Sequence, residues 1–182
     1  MTWTALFPPL RRRSRLLPLG ALVVACGGEA PREPFDVVEA TIPEMQQAME
    51  EGWVTSRELV EAHLVRIALY EEEVNAVIAV NARALEEADR LDRERAEGNV
   101  RGPLHGIPVA LKDNVHTTDM ATTGGALAFE DYVPPYEATL TENLREAGAV
   151  ILAKTVMTEL ANFTAQGMPG NYSAIGGYGM NP

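Results

Sequence analysis

The spacing of hydrophobic positions along this chain changes period several times, and each change predicts an element. Met45, Ala48 and Met49 fall at helical spacing and Gly52 ends their run. Ahead of them, Thr41-Ile42-Pro43-Glu44 reads as a capping box, with Thr41 as N-cap and Glu44 reaching back. Thr55-Ser56-Arg57-Glu58 repeats the device and opens a longer helix striped by Leu59, Val60, Leu64, Ile67 and Ala68. Residues 76–80 are a short apolar run without helical punctuation, which predicts a strand. A helix is expected over residues 82–97, with Leu85, Ala88 and Leu91 inward and Gly98 as its stop. Residues 108–111 read as a buried strand, 138–147 as a helix closed by Gly148, and 149–153 as a second buried strand. Residues 158–162 suggest a short helix, and from residue 164 the glycine-rich chain reads as loop. Strand, helix, strand, with strands that do not alternate, implies an α/β fold: N-terminal helices, then part of a sheet covered on both faces.

Charge changes the picture at the N-terminus. The chain carries 15 basic and 26 acidic residues, and four of the basic ones lie in the first 25 with no acid among them. The acidic remainder disfavours nucleic-acid binding, because phosphates would be repelled. The interleaved acids and arginines of residues 86–94 read as a solvated helix face. Arg11, Arg12, Arg13 and Arg15 precede an apolar stretch at 16–25, too short to span a bilayer, and Val23-Val24-Ala25-Cys26 follows. That order is expected of a lipoprotein signal peptide (residues 1–25), with Cys26 as the lipidated N-terminus. Residues 26–36 would then be a tether, and the folded domain would run from 37 to 182. Export to a bacterial cell envelope, with the membrane touched only through the lipid, is the expectation. Cys26 is the only cysteine, which rules out an intrachain disulfide.

The stretch with most chemical content is Gly102-Pro103-Leu104-His105-Gly106-Ile107-Pro108-Val109-Ala110-Leu111-Lys112-Asp113-Asn114. It sets one lysine at the end of an apolar strand. Burial there would disfavour the ammonium and make Lys112 a candidate general base, with Asp113 and Asn114 placed to orient it. His63, beside a helix stripe, and His105 and His116, flanking the lysine segment, show no metal-ligand spacing, so no metal or cofactor is expected. Glu159 reads as a structural carboxylate and Ser173 as a turn residue.

This lysine phrase resembles the lysine segment of the amidase signature family. So do residues 119–125 (Asp-Met-Ala-Thr-Thr-Gly-Gly), 146–155, 157–161 and 172–177, and Asn181-Pro182, all in the family's order, while residues 41–67 resemble its N-terminal helices. Several motifs in series are more specific than any one alone. The resemblance implies a mixed β-sheet covered by helices and the hydrolysis of a small carboxylic amide to an acid plus amine or ammonia. A Ser–cis-Ser–Lys triad would do this: one serine attacks the carbonyl, the cis-serine relays its proton to the lysine, and backbone N–H groups hold the oxyanion. Lys112 matches the family's lysine, and Thr122 and Thr123 are expected at the pocket. Both family serines lie beyond the Asn-Pro pair, and here no residue follows Pro182. The expectation is therefore the N-terminal part of an amidase domain, carrying the lysine alone and inactive by itself. Two alternatives remain: a non-catalytic lipoprotein or pseudoenzyme remnant with a binding role, and an amidotransferase A-type subunit, which the export signal disfavours.

Overall fold

The structure is a computed structural model, and it describes residues 33–163 and 166–180. The expected signal peptide, Cys26, most of the tether and Asn181-Pro182 lie outside the described residues.

Both capping boxes form. In α1 (Ile42–Glu50) the Glu44 amide donates to Thr41 Oγ1 and the Glu44 carboxylate accepts the Thr41 amide. In α2 (Ser56–Val74) Thr55 and Glu58 do the same. A left-handed Asn75 ends α2 and turns the chain into β1 (Val77–Val80). Then follow α3 (Ala84–Ala96), β2 (Pro108–Lys112), α4 (Thr139–Glu146) and β3 (Val150–Thr155). Residues 159–162 form a 3-10 turn in which Leu160 and Ala161 are left-handed. The glycine-rich tail is not wholly loop: β4 (Tyr172–Ser173) and β5 (Gly177–Tyr178) pair as a short antiparallel hairpin.

The main sheet is mixed, in the order β1-β3-β2, with β1 antiparallel and β2 parallel to the central β3. Only β3 is covered on both faces. Val150, Leu152 and Ala153 pack with Val60, Ala84, Ala88 and Leu91 from α2 and α3. Ile151 points the other way, to Leu111, Met120 and Leu144. A third cluster seats α1 against Val54, Leu59 and Ile107. Each fully buried Leu or Ile contributes about 1.5–3 kcal/mol as an upper bound. The expectation that residues 108–111 are buried holds only for Leu111; β2 is an edge strand, so Ala110 is exposed. Ala68 at the end of the predicted α2 stripe is exposed as well.

The polar face of α3 is less solvated than its interleaved charges predict. Asp92 accepts the Ser56 and Arg57 amides and so caps α2 a second time. Arg95 donates to Gln46 and to the His105 carbonyl, Glu94 pairs with Arg101, and Glu87 pairs with Arg145. Gly106 follows at φ +83, where a Cβ would lie 2.9 Å from Ser56 Cβ, so only glycine lets the turn before β2 pass beneath α2.

Candidate active site

Lys112 is the last residue of β2, and the two-residue period of a strand sends it and Asp113 to opposite sides. The Lys112 side chain is exposed and Nζ donates to the Val156 carbonyl at 2.8 Å. The apolar run before it predicts burial; an edge strand ending at a cleft provides none. The cleft measures about 440 Å³ and is lined by Lys112, Thr155, Met157, Thr158 and Asn171 together with residues 75–76 and 179–180. Lys112 is the one charged side chain among its described lining residues. One wall is stitched to the other from a distance: Asn75 Nδ2 donates to the Gly176 and Tyr178 carbonyls, and the Met180 amide donates to the Val74 carbonyl at 2.7 Å.

Asp113 does not orient Lys112. It is fully buried, and its carboxylate accepts the Thr123 amide at 3.2 Å, the Gly125 amide at 3.3 Å and the Thr123 hydroxyl. Its main chain completes the junction: the Asp113 amide donates to the Thr155 carbonyl and its carbonyl accepts the Gly124 amide. Thr122 and Thr123 are likewise buried and are not among the residues lining the Lys112 cleft. They belong to the loop that Asp113 holds. Gly125, at φ +74, allows close approach: a Cβ there would lie 2.8 Å from Ser173 Cβ and 3.0 Å from the Met157 carbonyl oxygen.

The residue missed from sequence is Lys154. It is the penultimate residue of β3 and its side chain is fully buried. Nζ donates to the Val115 carbonyl at 2.7 Å, to Thr122 Oγ1 at 2.8 Å and to the Ala121 carbonyl at 3.4 Å, and lies 3.8 Å from Asp113 Oδ1. Burial pushes the Lys154 pKa below the ordinary lysine value, and the nearby carboxylates of Asp113 and Asp119 oppose that push. The signal was present in composition: lysine occurs only twice in the chain, at 112 and 154.

The remaining candidates have structural partners. Ser173 is buried and its hydroxyl accepts the Gly176 amide at 2.9 Å, a turn bond. Glu159 accepts the Ala174 amide at 3.1 Å. His63 Nδ1 bonds the Leu59 carbonyl. His116 packs edge-on against Tyr132 and at a tilt against Tyr136. Among the described residues no group of three or more His, Cys, Asp or Glu side chains could hold a metal ion, and no helix is long and apolar enough to cross a membrane.

A family model described as Amidase matches residues 58–176, a stretch that includes both lysines. The chain is 44% identical over 128 residues to the A-type subunit of glutamyl-tRNA(Gln) amidotransferase from Synechococcus sp. (strain CC9605), covering 70% of this chain and 26% of that one. It is 40% identical over 145 residues to a putative amidase of Schizosaccharomyces pombe, covering 79% of this chain and 25% of that one. Among solved structures, native peptide amidase from Stenotrophomonas maltophilia superposes with a TM-score of 0.79 at 43% identity, over 82% of this chain and 31% of that one. The chain thus spans about a quarter to a third of the length of these relatives.

Proposed function

The chain belongs to the amidase family, and from that premise we propose that it supplies the lysine base of an amide-hydrolysing site. The observation that carries this reading is Lys112 itself: it matches the family's lysine phrase and is the one charged side chain among the described residues lining its cleft. In the proposed reaction a serine hydroxyl attacks the carbonyl of a small carboxylic amide. Its proton passes through a second, cis-serine to the neutral amine of Lys112. The acyl-enzyme forms as the C–N bond breaks and the amine leaves with a proton, and water then releases the acid. Ser173 does not fill either serine role, because its hydroxyl is buried in the hairpin turn.

Two measurements test this. The 182-residue chain alone should not release ammonia or amine from peptide amides or anilides, because no serine is among the described residues lining the Lys112 cleft. Turnover abolished by Lys112→Ala would overturn that. Reading the coding sequence past codon 182 should find a Gly/Ser-rich continuation with two serines. In the protein so encoded, Lys112→Ala should lower kcat by roughly 10²–10⁴-fold. A stop codon there, with a cooperatively folded 182-residue product, would favour the non-catalytic remnant.

A second reading, part of an amidotransferase, is supported by the 44% identity to the Synechococcus protein. We favour the exported amidase because the Val23-Val24-Ala25-Cys26 sequence has the order of a lipoprotein signal. Incorporation of labelled palmitate, lost in Cys26→Ser, is the expected result. Its absence from the wild type would shift the balance to the amidotransferase reading.

A further inference from the structure

The chain uses lysine at two places only, and the fold brings both to one junction. In the register of β2 on β3, Leu111 stands opposite Lys154 and Lys112 opposite Thr155. One lysine faces an open cleft; the other is sealed inside. Between them lies Asp113, adjacent to Lys112 in sequence yet committed to the interior. A buried carboxylate and a buried ammonium are each costly to desolvate, and such a pair is weak evidence for stability on its own. Its position calls for a further role.

We propose that Lys154 is a positioning residue: by holding Asp113 and the 122–125 loop inside the sheet, it keeps Lys112 on the cleft side without a carboxylate partner. The inference rests on the reading of Lys112 as the base. Lys154 gathers the loop after β2 at three points, since Nζ reaches carbonyls at Val115 and Ala121 and the hydroxyl of Thr122. Asp113 then takes donors at Thr123 and Gly125, which pins the Thr-Thr-Gly-Gly segment across the end of β2. The Gly124 amide, bonded to the Asp113 carbonyl, completes the clamp.

The charges around this junction are accounted for. No acid or second base lines the cleft with Lys112 among the described residues. On the inner side Lys154 faces Asp113, with Asp119 further off. Asp119 is itself taken by Arg83 and Arg145 through one oxygen. A lysine that must spend part of the cycle neutral needs carboxylates kept away, because an opposite charge nearby favours the ammonium. Lys154 supplies that separation by giving Asp113 a different partner.

The test needs no turnover. Reductive methylation with ¹³C-formaldehyde labels lysine amines, and the methyl shift reports their titration. In the intact wild-type chain Lys112 should label and Lys154 should not. In Lys154→Met the Lys112 titration midpoint should rise by about one pH unit, because Asp113 has lost its counter-ion. The amides of Thr123 and Gly125 should also exchange at least about tenfold faster, as their acceptor is freed. Lys154→Arg should leave both readouts near wild type. In Asp113→Asn/Lys154→Met the loop amides should still exchange faster, while the midpoint returns to wild type. An unchanged Lys112 midpoint in folded Lys154→Met overturns the proposal, since the separation of Asp113 from Lys112 would then not depend on Lys154. Where Lys154→Met does not fold, Lys154→Gln, which is neutral but keeps a donor for the loop, decides: an unchanged Lys112 midpoint overturns the inference and a raised one supports it. Failure here leaves the Lys112→Ala result untouched, so the two readings fall separately.

Discussion

His105 is held by two bonds, and the one at Nδ1 needs the neutral ring. Nδ1 accepts the Arg101 amide at 3.3 Å and Nε2 donates to the Leu91 carbonyl at 3.0 Å, so a second proton would be driven against an N–H. Burial pushes its pKa below the ordinary histidine value, ahead of the opposing bond to Leu91. The sign follows from linkage. Above the unfolded pKa of about 6.5 both states are neutral and the contribution is intact. As pH falls below that value the unfolded chain takes the proton first, and stability is lost. The urea midpoint of the wild type should therefore drop between pH 7.5 and pH 5 by more than that of His105→Gln, whose amide can still donate to the Leu91 carbonyl. Parallel curves for the two proteins would refute the assignment. His105 shows the limit of reading residues singly: from sequence it is a loop histidine in a Gly-Pro turn, and only the packing of α3 makes it a bolt between residues 91 and 101. Lys112 and Lys154 show the same limit from the other side. A lysine after an apolar run suggests burial, but the buried lysine is the one inside the central strand, and which strand is central is decided by pairing across some forty residues of chain.

Elements whose signals are local were legible. Thr41 with Glu44 and Thr55 with Glu58 lie within one turn of each other, and both capping boxes form as their spacing predicts. The helices at 84–96 and 139–146 and the strands at 77–80 and 150–155 fall within a few residues of their predicted bounds. What could not be read depends on distant partners. The β4–β5 hairpin pairs only two residues a side and is tied to Asn75, about a hundred positions away. The second cap of α2, from Asp92, crosses from another helix. This cap makes a prediction at its own scale. Thr55→Ala should cost about 1 kcal/mol, the usual value of a lost N-cap. Asp92→Ala should cost more, about 2 kcal/mol, because two bonds to a charged acceptor vanish together and the Ser56 amide is left in a partly buried place. Urea unfolding of the two variants gives the order, and an Asp92→Ala cost below that of Thr55→Ala would show that the interhelical cap contributes little.

At the scale of the whole molecule the sheet is lopsided. One face of its central strand is roofed by α3 and part of α2, yet a groove of about 650 Å³ remains between the rest of α2 and the strands, lined by Ile67, Tyr70, Val77, Ala110 and Leu152. On the same helix Tyr70, which lines the groove, is 48% exposed and Leu69 is 66% exposed. Isolated surface leucines need no explanation, but contiguous apolar surface next to open strand edges favours association. Both outer strands, β1 and β2, have one unpaired side within the main sheet. The 182-residue chain in isolation should consequently bind a hydrophobic dye and sediment as larger species as its concentration rises. Tyr70→Lys with Leu69→Lys should weaken both effects, since the first removes apolar surface from the groove lining and the second from the exposed side of the same helix, without touching a buried core position. The Lys112 cleft lies off this groove, sharing Ala76 and Met180 with it, so labelling of Lys112 should be unchanged in that double variant. A chain that stays monomeric at every concentration, with no dye binding, would mean the groove closes on itself in solution.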